Sequence, residues 1–193
     1  MKVIMDFIPN HVARHYKSDN RPKRTFDFGA NDEKDHFFKG HNNFYYLGEQ
    51  PFGDDIDTKG NADVPYTESP LRATGNDCFG VPHRNDWFDT VKLNYGVDYS
   101  TGMCQFTPIP DTWVKMLKIL LYWASQGVDG FRCDVIDQIS KDFATTNYFG
   151  PHLHEYINEL FGREKTAHLF TVGECWAESL EEVYNHCADE RKE

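Results

Sequence analysis

The sequence predicts an α/β fold, a parallel sheet with helices outside it. Three observations carry that expectation. Apolar runs alternate with segments of helical period from residue 110 onward. Three of the apolar runs stop at polar or charged groups, "DFIPNH", "FRCD" and "VGEC". Between the first run and the others lies a long stretch, 12–109, in which no helical period persists.

Residues 2–8 read as a buried strand, ended by Pro9. From 12 to 109, Gly, Asn, Asp and Pro are scattered and aromatics come singly. A loop of that length is a functional insertion or a subdomain of its own. Within it "NNFYYLG" (42–48) and "DTVKLNYG" (89–96) have the composition of short strands. Regularity returns at 111. Trp113, Leu117, Leu120, Leu121 and Ala124 fall at three- and four-residue spacing, one apolar helix face. Asp111 suits the N-cap and Gly127 the left-handed residue past the end. "VDGFRCDV" follows as a strand, then a helix near 151–161 from Pro151 to Gly162. "AHLFTVGE" is the next strand, and Ser179 with Glu182 forms a capping box for a last helix. The expected divisions are 1–11, 12–109 and 110–193.

In parallel sheets of this kind the chemistry gathers at the C-terminal ends of the strands. Arg132 and Asp134 are two positions apart on one strand, so they share a face. A buried charged pair is costly and needs a compensating role. One role is to brace the sheet. Another is to prepare a carboxylate for chemistry, with Arg132 lowering the pKa of Asp134. Glu174 ends the next strand after Val172 and Gly173, an apolar setting that predicts a raised pKa. Two carboxyls pushed apart in pKa suit glycoside hydrolysis, one as nucleophile and one as acid. Asn10 and His11 add hydrogen-bonding groups at the end of the first strand.

Composition narrows the partners. The net charge is −11, which repels nucleic acid and anionic lipid. The basic run "RPKR" at 21–24 is short and followed by acidic sequence, a solvated loop. Aromatics make up 15% of the chain, enough for a packed core and for stacking on sugar rings. The cysteines number 5, with no CxxC pair, so no disulfide framework or zinc knuckle is implied. Cys133 and Cys175 are expected to face the apolar side of their strands. No run is long enough to span a membrane. "MKVIM" is too short for a signal-peptide core, and the compartment stays open. "HVARH" sets His11 and His15 four apart, as zinc-binding helices do, but without the glutamate of that motif. His152 and His154 are two apart and face different sides of their helix.

"DFIPNH" (6–11), "GFRCD" (130–134) and "GE" (173–174) resemble three consecutive signatures of the alpha-amylase superfamily of glycoside hydrolases. "VKLNYGVD" (91–98) resembles a further signature within the insertion. The resemblance implies a (β/α)8 TIM barrel with a domain inserted after strand 3. This chain would cover strands 3 to 5 of it. It implies Asp134 as nucleophile, Glu174 as general acid and then base, and Arg132 as the group that orients the nucleophile. His11 would hydrogen-bond the sugar, Asn10 would be a calcium ligand, and Asp6 would brace the end of its strand. Asp137 and Gln138 stand where many starch-active members have Lys-His, so they are the expected sugar contacts beyond the cleavage point. Lys92 stands where an acidic calcium ligand is usual, and a lysine cannot coordinate calcium. The family's third carboxylate would lie beyond Glu193. The expectation is a segment of a retaining hydrolase acting on α-glucans or maltooligosaccharides, with little activity as the isolated chain and the rest of the barrel in flanking sequence. The alternative is a non-catalytic glucan-binding or a transglucosylating member of the same fold.

Overall fold

The computed structural model describes residues 1–19, 21, 23–60, 62–139, 169–176, 178–180 and 183. The chain divides into two compact units. One comprises Met1–Asn10 with Trp113–Glu193, the other His11–Thr112.

The first unit is built on a parallel sheet. Its strands are β1 (Ile4–Phe7), β6 (Gly130–Cys133) and β7 (Phe170–Gly173), in the order β1-β6-β7. The register sets Asp6 beside Arg132 and Arg132 beside Val172. Each strand is shorter than its apolar run in the sequence, the usual uncertainty of strand ends. Gly130 is required at its place. A Cβ there would stand 2.8 Å from the Phe170 carbonyl oxygen on the neighbouring strand.

Helix α1 runs over Asp111–Ser125, as its spacing predicts. Trp113, Met116, Leu117, Leu120 and Leu121 are its buried face. Ile119, Tyr122 and Trp123 lie on its exposed side. Asp111 is the first helical residue and not the cap before it, a difference of one position. Gly127 ends the helix at φ +95°, a left-handed conformation that costs glycine nothing. There Gly127 N–H donates to Ala124 O and Val128 N–H to Trp123 O. The predicted helix near 151–161 lies outside the described residues, as does Glu182 of the predicted capping box.

The sheet differs from expectation in one respect. Residues 2–8 read as a buried strand, yet Ile4 is 54% exposed, and Val172, on the same face, is 51% exposed. Only the opposite face is packed. It carries Phe7, Phe131 and Cys133, all buried, with the two rings edge to face at 6.4 Å. Burial pushes the Cys133 thiol up to about 12, which makes it a small core hydrophobe. Cys175 is half-buried.

The second unit has little regular structure. β2 (His11–Ala13) pairs antiparallel with β3 (Thr90–Lys92), and β4 (Val97–Asp98) with β5 (Met103–Cys104). Phe44 and Tyr46 form single bridges to Leu93 and Arg72. Residues 11–13 are strand, so His11 and His15 do not share the helix turn that a zinc motif needs.

Side chains take over where ladders are absent. Asn43 is buried; its Oδ1 accepts Gly29 N–H and its amide donates to Asp111 and Thr112. The Asp32 carboxylate receives the backbone N–H groups of Asn43 and Phe44 and the Tyr46 hydroxyl. Tyr45 anchors a ring cluster with Phe37, Phe38, Phe79 and Tyr99, its hydroxyl donating to Val97 O at 2.8 Å. A buried ion triad lies in the same unit. Glu68, with its side chain 7% exposed, pairs with Arg14 and Arg72 at 2.8 Å each. Arg14 also donates to the carbonyls of Phe88, Arg72 and Thr90, so its guanidinium ties three segments together.

Candidate active site

Strand register builds the site. Arg132 points from β6 on the face that also carries Asp6 of β1. The chain leaves β6 with Asp134 N–H bonded to Phe7 O, and it leaves β7 with Glu174 N–H bonded to Cys133 O. Both carboxylates therefore stand at the same edge of the sheet, one strand apart.

Arg132 joins them. Its Nη1 pairs with Asp134 Oδ1, and also with Asp6 Oδ1 at 3.0 Å. Its Nη2 lies 2.9 Å from Glu174 Oε2. One cation thus serves three carboxylates. The hydrogen bonds it donates to Asp6 and Asp134 hold the guanidinium above its ordinary pKa.

Glu174 corrects an expectation. Its carboxyl lies below the usual carboxylate range, not above it. The main cause is Val135 N–H, which donates to Glu174 Oε2 at 2.9 Å. The Trp176 side chain, the Arg132 charge and Asp134 act in the same direction, against the opposing effect of burial. The apolar neighbours Val172 and Gly173 do not enclose the carboxylate, because groups from the β6 loop reach it first.

Val135 makes that contact by an uncommon turn. Its backbone is left-handed, φ 39° and ψ 45°, although its side chain is β-branched and buried. Such a conformation costs on the order of 1–3 kcal/mol and persists only where the surroundings enforce it. The turn brings two successive N–H groups to Glu174: Val135 to the carboxylate and Ile136 to the backbone carbonyl at 3.2 Å. No signal in the sequence announces this turn, since Val is among the residues least suited to it.

The other expected residues are placed as follows. Asp137 lies in the 3-10 turn Ile136–Gln138 and is 8% exposed. Its Oδ2 accepts Trp176 N–H at 2.7 Å. Gln138 is half-buried on the same turn, its N–H on Val135 O. Asn10 is fully buried in the sheet unit. His11 belongs to the other unit, opposite Lys92 and edge to face with Trp87 at 5.4 Å.

The donor set does not fit calcium at Lys92. That side chain is 0% exposed, and its ammonium lies 2.6 Å from Asp77 Oδ1. A buried positive charge already occupies the carboxylate's neighbourhood, and it repels a hard cation. Among the described residues, the grouping of acid and imidazole side chains Glu33, Asp35 and His36 is exposed and lies in the second unit.

The family's sequence profile, described as alpha amylase, catalytic domain, matches residues 1–193. The chain belongs to the alpha-amylase family. Several curated relatives match part of it. The glucan 1,6-alpha-glucosidase of Streptococcus dysgalactiae subsp. equisimilis is 36% identical over 85 residues, 41% of this chain and 15% of that protein. The oligo-1,6-glucosidase of Bacillus cereus is 32% identical over 93 residues, 39% of this chain and 16% of the relative. The trehalose-6-phosphate hydrolase of Escherichia coli (strain K12) is 34% identical over 93 residues, 41% and 16% of the two chains. The aligned parts thus span about one-sixth of these family members. Membership implies a partial TIM-barrel fold, and a parallel sheet of the order β1-β6-β7 is compatible with it.

Proposed function

We propose that this chain is the catalytic segment of a longer, retaining α-glucosidase acting on short α-glucan oligosaccharides. The observation that carries the reading is the single guanidinium of Arg132, paired at once with Asp134 and Glu174. A retaining enzyme holds its two carboxyls about 5 Å apart, and two groups within reach of one planar fork are close enough for that. The names of the relatives, glucan 1,6- and oligo-1,6-glucosidases among them, support α-1,6-linked glucosides as substrates.

In this reading Asp134 attacks the anomeric carbon and forms a covalent glycosyl ester. Arg132 holds it in place and aims it. Glu174 protonates the departing glycosidic oxygen, then takes a proton from the water that hydrolyses the ester. The hydrogen bonds around Glu174 favour its anion, so the arrangement seen is suited to the second half, in which the residue is a base. A sugar that separates Glu174 from water and from the Arg132 charge would raise its pKa for the first half.

The test is covalent trapping. The longer protein carrying this segment is incubated with 5-fluoro-α-glucosyl fluoride and digested. The expected result is one added fluoroglucosyl group on the peptide containing Asp134, absent in Asp134→Asn. A label on another carboxylate, or inverted product stereochemistry, refutes the proposal.

A further inference from the structure

We infer that Asp137 is a positioning residue for Glu174, acting through Trp176. The inference rests on Glu174 as the acid/base of the proposed reaction. It gives Asp137 a partner within the protein where the sequence pointed to a sugar.

The two loops at the sheet edge exchange side chains. From the β7 loop, Glu174 reaches across to Val135 N–H. From the β6 loop, Asp137 reaches back to Trp176 N–H at 2.7 Å. The backbone bonds Glu174 N–H to Cys133 O and Ile136 N–H to Glu174 O lie between them. Each loop is therefore held by a carboxylate from the other. Trp176 is 61% exposed, so little packing fixes it, and its backbone bond to the buried Asp137 is its anchor. Trp176 stands two residues past Glu174 on the same loop, so the bond that holds its backbone also fixes the stretch that carries Glu174. Asp137 thus sets where Trp176 stands, and Trp176 helps to set where Glu174 stands. A carboxylate accepting a backbone N–H is a charge-assisted bond, stronger than a neutral one. The Oδ1 atom of Asp137 has no partner among the described residues. The bond to Trp176 is therefore the main assignable use of this buried acid.

The experiment is NMR on the 193-residue chain. In the wild type, a through-hydrogen-bond coupling between the Trp176 amide nitrogen and the Asp137 carboxyl carbon is expected; its absence overturns the inference. Asp137→Ala is expected to speed Trp176 amide exchange by about tenfold or more, the scale of one hydrogen bond to a charged acceptor. It is also expected to move the Glu174 carboxyl titration upward. Asp137→Asn keeps an acceptor oxygen and restores both. Trp176→Phe keeps the backbone N–H, so the coupling to Asp137 is expected to persist in it. Arg132, which pairs with Glu174, and Asp134 and Asp6, which pair with Arg132, are unchanged in every variant. A folded Asp137→Ala chain with an unmoved Glu174 titration, or loss of the coupling in Trp176→Phe, overturns the inference. If Asp137→Ala does not fold, the wild-type coupling and the Asp137→Asn spectrum decide. These readouts need no turnover. A failed covalent trapping with the coupling intact therefore rejects the glucosidase reading alone, and the reverse rejects only the role of Asp137.

Discussion

The two units solve the same problem in opposite ways. In the sheet unit, backbone groups are satisfied by regular ladders, and its charged cluster is partly open to water. In the inserted unit, ladders are two or three residues long, and buried Asn and Arg side chains, with the half-buried Asp32, satisfy the backbone. The difference has an energetic meaning. Ion pairs open to solvent contribute little to stability and remain free to do chemistry. Buried ones are costly to break, because the surviving partner is left as an uncompensated charge.

The largest effect should come from the inserted unit. Glu68→Ala leaves Arg14 and Arg72 buried without their anion. A loss of about 3–5 kcal/mol is expected, read as a lower denaturant midpoint with aromatic signals of that unit lost first. An unchanged midpoint would remove the contrast between the units. The same carboxylate predicts a pH limb. Burial pushes the Glu68 pKa up, but hydrogen bonds and charge from Arg72, and the charge of Arg14, outweigh that and leave it below its ordinary 4.5. Its stabilisation is therefore fully present above that value and is lost as pH falls through the depressed folded value. Thermal midpoints measured downward from pH 5 should show the drop, and Glu68→Gln should flatten it.

Gly130→Ala comes next, in the sheet unit. The new methyl would press on the Phe170 carbonyl and ring, both at 2.8 Å, and push β6 from β7. About 1–3 kcal/mol is expected, with faster amide exchange along both strands. Glu174→Gln ranks lower. It removes an anion that water already reaches, so the midpoint should hardly move, while turnover of glucosides that need a protonated leaving group is lost. A large shift in midpoint would mean that the cluster at Arg132 braces the sheet more than it serves chemistry. The smallest effect is expected from chelation. With the Lys92 ammonium buried beside Asp77, EDTA should leave unfolding of the inserted unit unchanged. A lower midpoint that calcium restores would overturn that reading.

The sheet unit was legible in the sequence because periods expose it. Helix α1 followed from three- and four-residue spacing, and the parallel strands from apolar runs separated by a helix. That Arg132 and Asp134 share a face followed from strand alternation alone. The surroundings of Glu174 did not follow, since the main contact comes from Val135, which sits on another strand's loop in a turn that Val seldom adopts. The surroundings of Asp137 were not legible either. Its position after Asp134 carries no sign that the turn Ile136–Gln138 buries it. The inserted unit was legible only as an interruption. Its order rests on Asn42, Asn43 and Asp32 bonding to particular backbone atoms, and such bonds leave no period.

A single guanidinium divided among Asp6, Asp134 and Glu174 has one more consequence. The hold that Arg132 has on each of the three depends on the other two. A visiting molecule that takes over the hydrogen bonds of one carboxylate leaves the guanidinium to the remaining two. The edge of this sheet is in that sense a balance with three pans, which tips without any movement of the chain.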